Sequence, residues 1–243
     1  MAALEQRHLA GLRLPEVTRA LRALSSAYVE RRHTMQKGSA LDSAGKRAAF
    51  SLFYAPLHFL TLRHITRELR ARVPPATTIL DVGCGTGVAA AAWSLESGGR
   101  PRVLGVDRHP HAIEEARWTY GQLGINGVAR QGDAARVRPP RGAHAIVAAY
   151  VLNELPAPAR AHIWQTMRDA AAGGAQVLIV EPIARALAPW WDDVAKEAIA
   201  LGGRADDWRF APELPPIVDT LDRAAGLHHR EMTARSIFLS PPD

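Results

Sequence analysis

Cysteine is almost missing from this 243-residue chain; Cys84 stands alone. No disulfide can close within the chain, and a reducing cytoplasm is the expected compartment. Metal-ligand spacing of Cys and His is absent as well, since His228 and His229 are adjacent and alternate faces in an extended strand; no metal is expected. There is no apolar run near the ~18 residues of a membrane span, and the longest, Ala145 to Leu152, has the length of a strand. The opening residues, MAALEQRHLAGLRLPE, place charges where a secretory signal is apolar, so no membrane partner is expected. No lysine lies between Lys46 and Lys196, which removes the Gly-Lys-Ser/Thr end that a phosphate-gripping loop needs. Internal repeats and low-complexity segments are also absent.

What is present begins with charge. The net charge is +6, but residues 1–75 hold 13 Lys and Arg against 5 acids, a net of +8, which leaves −2 for the rest. Such a basic third suits an anionic partner such as RNA, or forms a solvated helical surface. Within it, Leu14, Val17, Leu21, Leu24 and Tyr28 recur at helical spacing with Pro15 near the helix start. A second apolar helical series follows in Ser43 to Arg72 (Phe50, Phe53, Tyr54, Leu57, Leu60, Ile65), with Pro56 as a kink or boundary. The polar stretch Glu30 to Asp42 between them reads as an exposed loop, and Pro74-Pro75 closes the segment.

From Ala76 the pattern changes to alternating strands and helices, the mark of a mostly parallel sheet covered on both faces. Strands are expected near 78–82, 102–106, 127–131, 145–150 and 176–181, with helices near 88–97, 110–122 and 158–172. Residues 182–210 break the rhythm and read as a cap insertion holding Trp190, Trp191 and Trp208. A helix over 214–227 and two closing antiparallel strands, 228–233 and 235–239, complete the expectation. The domain division read here is 1–75 and 76–243.

The centre of the chain is TILDVGCGTG, Thr78 to Gly87. A short β-branched run ends in Asp81, and Gly83, Gly85 and Gly87 lead into an alanine-rich helix whose first N–H groups are unpaired. The third glycine comes one residue too early for a dinucleotide fingerprint. The next strand, Val103 to Val106, ends in Asp107, an acid placed to accept both hydroxyls of a ribose. D-V-G-C-G-T-G followed by G-V-D resembles the class I S-adenosylmethionine-dependent methyltransferases. The resemblance implies an α/β, Rossmann-like sheet, mostly parallel with an antiparallel final strand, behind an N-terminal helical extension. It implies S-adenosylmethionine as cofactor and S-adenosylhomocysteine as product. It also implies a donor site at Asp81, Gly83, Cys84, Gly85, Gly87, Asp107 and Arg108, with Asp133 facing the adenine amino group beside Ala134, and Tyr150 at the fourth strand's end.

Acceptor chemistry is expected after the fourth strand, in Tyr150-Val151-Leu152-Asn153-Glu154. Tyr150, Asn153 and Glu154 are the catalytic candidates. The Asn/Asp-Pro-Pro-aromatic signature of base-amine methylation is missing, and Cys84 belongs to the donor loop, which disfavours a cysteine-linked pyrimidine route. Glu154 is equally a helix cap; Glu181, ending the fifth strand, is a site residue or the partner of an arginine. Tyr54 and His58, one helical turn apart, lie over the pocket or pack the extension. A narrower resemblance, carried by AAFSLFYAPLHFL, YVLNELP and VLIVEP, is to the ribosomal small-subunit methyltransferase-like family, which includes mitochondrial ribosome assembly factors, without its cysteine cluster. It implies RNA or a ribosomal subunit as partner through the basic N-terminal region. A small-molecule acceptor, with the tryptophan segment as a lid, and a non-catalytic assembly factor that binds the donor are the alternatives.

Overall fold

Seven strands, separated from Thr78 onward mostly by helices, build one sheet. In the computed structural model, residues 1–30, 41–75, 77–98, 101–139, 143–184 and 188–241 are described. The strands are β1 (Thr78–Val82), β2 (Arg102–Asp107), β3 (Gly127–Gln131), β4 (Ala143–Ala149), β5 (Gln176–Glu181), β6 (Arg204–Phe210) and β7 (Met232–Leu239). Their order is β3-β2-β1-β4-β5-β7-β6. The first five run parallel, and β7 lies antiparallel between β5 and β6. Buried parallel strands need apolar side chains on both faces, and Val177, Leu178, Ile179 and Val180 of β5 are all fully buried.

Each face has its own core. Ile79, Trp93, Val103, Tyr120, Val147 and Val180 fill the first, beneath helices α5 (Val88–Glu96) and α6 (Pro110–Gln122). Leu80, Ile146, Trp164, Met167, Ile179 and Trp191 fill the second, beneath α7 (Ala157–Ala172) and α8 (Trp191–Ala200). Alanine is the strongest helix former and the smallest useful core side chain, so Ala89 to Ala92 bring α5 close against the sheet. Pro110 pre-sets the first turn of α6, where its missing N–H costs nothing.

The N-terminal part consists of α1 (Ala2–His8), α2 (Leu14–Glu30), α3 (Ala44–Ala49) and α4 (Ala55–Glu68). Val17, Leu21 and Leu24 are buried as their spacing predicts. The kink expected at Pro56 takes the form of a π-helical turn over Phe50–Tyr54, immediately before it, in which Ala55 N–H reaches back to the Phe50 carbonyl. A proline cannot donate to the carbonyl four residues earlier and its ring crowds that oxygen; a widened turn relieves both. Most of the expected loop 30–42 lies outside the described residues.

Two compact units result. One joins Met1–His58 to Ala211–Glu231; the other joins Phe59–Phe210 to Met232–Asp243. The division thus falls inside α4 rather than at Pro74-Pro75, because Leu62 and Ile65 belong to the first sheet core. In the smaller unit, Arg22 Nη2 donates to the Ala224 carbonyl at 2.5 Å, tying α2 to α9 (Pro216–Ala225).

Two expectations are corrected. Residues 182–210 are no insertion: they supply α8 and β6, an edge strand of the sheet. RADDWRF hid its strand because Asp and Arg are poor strand formers away from a solvated edge. Likewise the closing antiparallel pair is β6 with β7, and residues 228–231 precede β7 instead of forming a strand of their own. Among the described residues no helix is long and apolar enough to cross a membrane.

Candidate active site

The loop leaving β1 is fixed by main-chain hydrogen bonds, to β2 and within itself. Gly83 N–H and Cys84 N–H both donate to the Val106 carbonyl, at 2.8 and 3.0 Å, and Gly87 N–H donates to the Cys84 carbonyl at 2.7 Å. Gly83, Gly85 and Gly87 have φ of +69°, +51° and +78°, the left-handed region that side chains disfavour. A Cβ on Gly83 would stand 2.4 Å from Val151 Cγ2, and one on Gly87 2.7 Å from the Tyr120 ring. At Gly85 nothing lies within 4 Å, so the loop is open on that side.

Two acids frame this opening. Asp81 is 1% exposed, and its Oδ2 accepts the Ala90 N–H of α5 at 3.1 Å. Its Oδ1 is buried with no partner. Burial pushes the Asp81 carboxyl up to about 7, with the Ala90 N–H opposing and Asp107 reinforcing the shift. Asp107 accepts Gly85 N–H on Oδ2 at 3.0 Å and His109 N–H on Oδ1 at 2.9 Å. Each oxygen keeps a further lone pair, so the carboxylate is oriented and still able to accept a diol. An open loop, an unpartnered carboxylate oxygen and an oriented second acid fit a nucleoside carrying a charged amino-acid chain.

The other expected donor residues have the following surroundings. Cys84 is buried, and burial, helped by Asp81 and Asp107, pushes its thiol up. Asp133 is exposed and accepts the Ala135 N–H at 3.0 Å, opening the short turn that begins at Ala134. Arg108 is exposed, and its carbonyl accepts Gln131 Nε2 at 2.9 Å. Tyr120 was not foreseen: its ring lies where side chains at Gly87, Gly105 and Gly127 would be, supporting the loop from below. Two glycines within strands were the available signal.

The second half of the site follows β4. Tyr150 adopts φ +59° and donates its N–H to Val180 at 2.8 Å. Its hydroxyl is hydrogen-bonded with Thr61, and burial pushes it up. Leu152 N–H and Asn153 N–H then converge on Glu181 Oε1, at 2.8 and 3.3 Å. Glu181 is fully buried at the end of β5, and its Oε2 has no partner. Burial pushes the carboxyl up to about 8; the Leu152 and Asn153 N–H groups oppose this and Glu154 adds to it.

Around this carboxyl stand Asn153, Trp190, Arg160 and Arg235. Trp190 Nε1 donates to Asn153 Oδ1 at 3.2 Å, while Asn153 Nδ2 is buried and unpartnered. Arg160 lies over the Trp190 ring at 5.1 Å and donates to the Leu155 carbonyl at 3.1 Å. Arg235 pairs across from Glu181 in the β5–β7 register, yet no ion pair forms: its guanidinium donates to the Ile183 carbonyl and covers the Trp191 ring at 5.1 Å. Its Nε is buried without a partner. A buried arginine in an apolar strand was the visible signal for Arg235.

The remaining candidates separate. Glu154 is exposed in a short turn, and Pro156, not Glu154, stands at the start of α7. Trp208 packs on the opposite sheet face from Trp190 and Trp191, with Nε1 donating to Ser236 Oγ at 2.8 Å, so the three tryptophans form no common lid. Tyr54 and His58 lie 6.3 Å apart between ring centroids in the smaller unit. Among the described residues no group of three or more His, Cys, Asp or Glu could hold a metal.

A glycine loop at β1, an acid ending β2 and an antiparallel β7 inserted beside β5 define a class I methyltransferase fold. Residues 79–174 match the family model described as a methyltransferase domain. Over 93 residues the chain is 33% identical to ribosomal protein L11 methyltransferase of Dechloromonas aromatica, a stretch covering 38% of this chain and 29% of that protein. The chain thus spans under a third of that relative's length. The solved plantazolicin methyltransferase BpumL, in complex with S-adenosylhomocysteine, superimposes with a TM-score of 0.55 at 12% identity, covering 94% of this chain and 98% of that one. A Pyrococcus horikoshii protein assigned by inference as an RNA methyltransferase gives 0.51 at 13% identity, covering 94% and 100%. At such identities the likeness is one of fold. The match over residues 79–174 and the strand order together give this chain the fold of the class I methyltransferases.

Proposed function

We propose that the chain transfers the methyl group of S-adenosylmethionine to a small polar acceptor and releases S-adenosylhomocysteine. The observation that carries this reading is the juxtaposition of the donor loop with a buried polar cluster: Val151, which opens the segment tied to Glu181, packs directly on Gly83. When bound, S-adenosylmethionine supplies a methyl group on a positively charged sulfur. The chain's own contribution is placement. Asp107 orients the ribose, Asp81 and the start of α5 hold the amino-acid part, and the β4–β5 ends exclude water from the line of transfer.

RNA is the second reading, favoured by the net +8 of residues 1–75. Part of that charge is engaged within the fold: Arg63 and Arg67 both pair with Glu96, at 2.6 and 2.9 Å, and Lys46 pairs with Asp42 at 3.0 Å. This is why the small acceptor is preferred. A donor-binding assembly factor without turnover is the remaining alternative, and a reducing cytoplasm suits the lone thiol.

The test is calorimetric titration of S-adenosylmethionine and S-adenosylhomocysteine into wild type and Asp107→Ala, followed by methyl-transfer assays on total RNA and on a small-metabolite extract at low and high salt. Small-metabolite labelling that survives high salt supports the proposal. Labelling of RNA alone, suppressed by salt, replaces it with the second reading. Donor binding with no transfer to either supports the assembly factor.

A further inference from the structure

The cluster at the ends of β4, β5 and β7 does more than brace a loop. Three of its buried atoms have no hydrogen-bond partner: Glu181 Oε2, Asn153 Nδ2 and Arg235 Nε. Glu181 and Arg235 are 0% and 2% exposed and face each other in register. Their chemistry is complementary to a particular kind of molecule. Asn153 Nδ2 and Arg235 Nε can only donate, and the oxygen of the Asn153 amide is already used by Trp190, so these two atoms require an acceptor oxygen. Glu181 Oε2 is the atom that can receive an N–H or O–H. Trp190 and Trp191 stand beside them, each covered by a guanidinium at 5.1 Å. The cluster adjoins the donor loop, because β4 pairs with β1 and Val151 rests on Gly83.

We propose that Glu181, Asn153 and Arg235 form the acceptor subsite, and that it takes a compact amino-carbonyl or hydroxy-carbonyl compound. This rests on the donor reading above. Asn153 and Arg235 hold the carbonyl or carboxylate oxygen, and Glu181 receives the N–H or O–H of the neighbouring nucleophile. As the bond from that nitrogen or oxygen to the methyl carbon forms, the sulfur–methyl bond breaks and its electron pair stays on sulfur, which becomes a neutral thioether. The nucleophile's proton passes to Glu181 and then to solvent. The charged and titratable groups around Glu181 are Glu154, which holds its proton on, Arg160, and Tyr150, whose hydroxyl is engaged by Thr61; Arg235 stands on the adjacent strand.

The test measures tritiated methyl transfer from S-adenosylmethionine to glycine, sarcosine, glycolate and salicylate, with ethylamine, phenol and total RNA as comparators, from about pH 6 to about pH 10. Expected are transfer to at least one of the first four and a rate that climbs through about 8, where the Glu181 proton leaves. Glu181→Gln, which keeps an oxygen for the two loop N–H groups, should lower kcat ~100-fold and flatten the pH profile while S-adenosylmethionine affinity by calorimetry is unchanged. Asn153→Ala should raise KM ~10-fold with the pH profile retained. Transfer confined to the comparators, no transfer by protein that binds the donor, or an unaltered profile in Glu181→Gln would overturn the subsite. A folded wild type that fails to bind S-adenosylmethionine removes the donor reading itself, and calorimetry separates that failure from the others.

Discussion

The loops after β1 and β4 leave adjacent strands, and each is tied to a carboxylate on the strand beside it, but their backbones reach that tie differently. The first takes its shape from three glycines in left-handed conformations and is tied to β2, two of its N–H groups on the Val106 carbonyl and Gly85 N–H on the Asp107 carboxylate. The second has Tyr150 in a left-handed conformation without a glycine's freedom, and it depends on a carboxylate 29 residues further on. A loop shaped by glycines and held largely by a main-chain carbonyl keeps that part of its tie whatever side chains the next strand carries. A loop held from a distant strand is sensitive to that strand's charge, and its geometry can be tuned without touching the ligand.

The largest effect that would break the comparison is on the first loop's ligand. Asp107→Ala removes the acid oriented by Gly85 and His109, and S-adenosylmethionine affinity should fall ~100-fold, about 3 kcal/mol by calorimetry. An affinity within ~3-fold of wild type would mean that the glycine loop alone holds the donor. Next, Gly83→Ala forces a side chain at φ +69° and 2.4 Å from Val151 Cγ2. A loss of about 2–3 kcal/mol in urea unfolding is expected, and Val151→Ala in the same chain should recover part of it if the two loops are in contact.

The second loop's tie is tested by pH. Glu181 is raised from 4.5 to about 8 in the folded chain, so across that window the folded protein keeps a proton that the unfolded chain has released. Stability therefore falls as pH rises from 4.5 to about 8, and the full loss is reached above it. Glu181→Gln removes this dependence, and its unfolding free energy should stay flatter than that of wild type over the same window. Asp81, raised to about 7, contributes a similar slope to both proteins and cancels in the comparison. The smallest effect is Tyr150→Phe, which leaves the left-handed backbone but removes the hydroxyl bond to Thr61; about 1 kcal/mol of stability is expected to go.

Legibility followed the same division. Asp81, the three glycines and Asp107 could be placed from the sequence because glycine spacing and acids at strand ends follow the rhythm of strand and helix, although the bond between Gly85 and Asp107 spans 22 residues. The core strands were equally plain, being continuous apolar runs. Glu181 could be read as a site residue or an arginine's partner from its place at a strand end, but its grip on Leu152 and Asn153 depends on β4 and β5 lying side by side. Arg160 and Arg235 reach the cluster only through tertiary packing. The strand at 204–210 escaped notice since a charged, half-exposed edge has no apolar alternation to read. The three tryptophans are close in sequence yet split between the two faces of the sheet, a separation that linear spacing does not encode.

The lone thiol gives the first loop a built-in clock. Cys84 is 5% exposed, with its proton held on by burial, so a thiol-reactive dye reaches it through an opening of the structure around the glycine loop. With no second cysteine in the chain, the labelling rate reports a single event: the frequency with which the donor loop opens. Bound nucleoside would slow that rate in proportion to its occupancy, and the kinetics of one side chain then register donor affinity, loop motion and their coupling without any change to the protein.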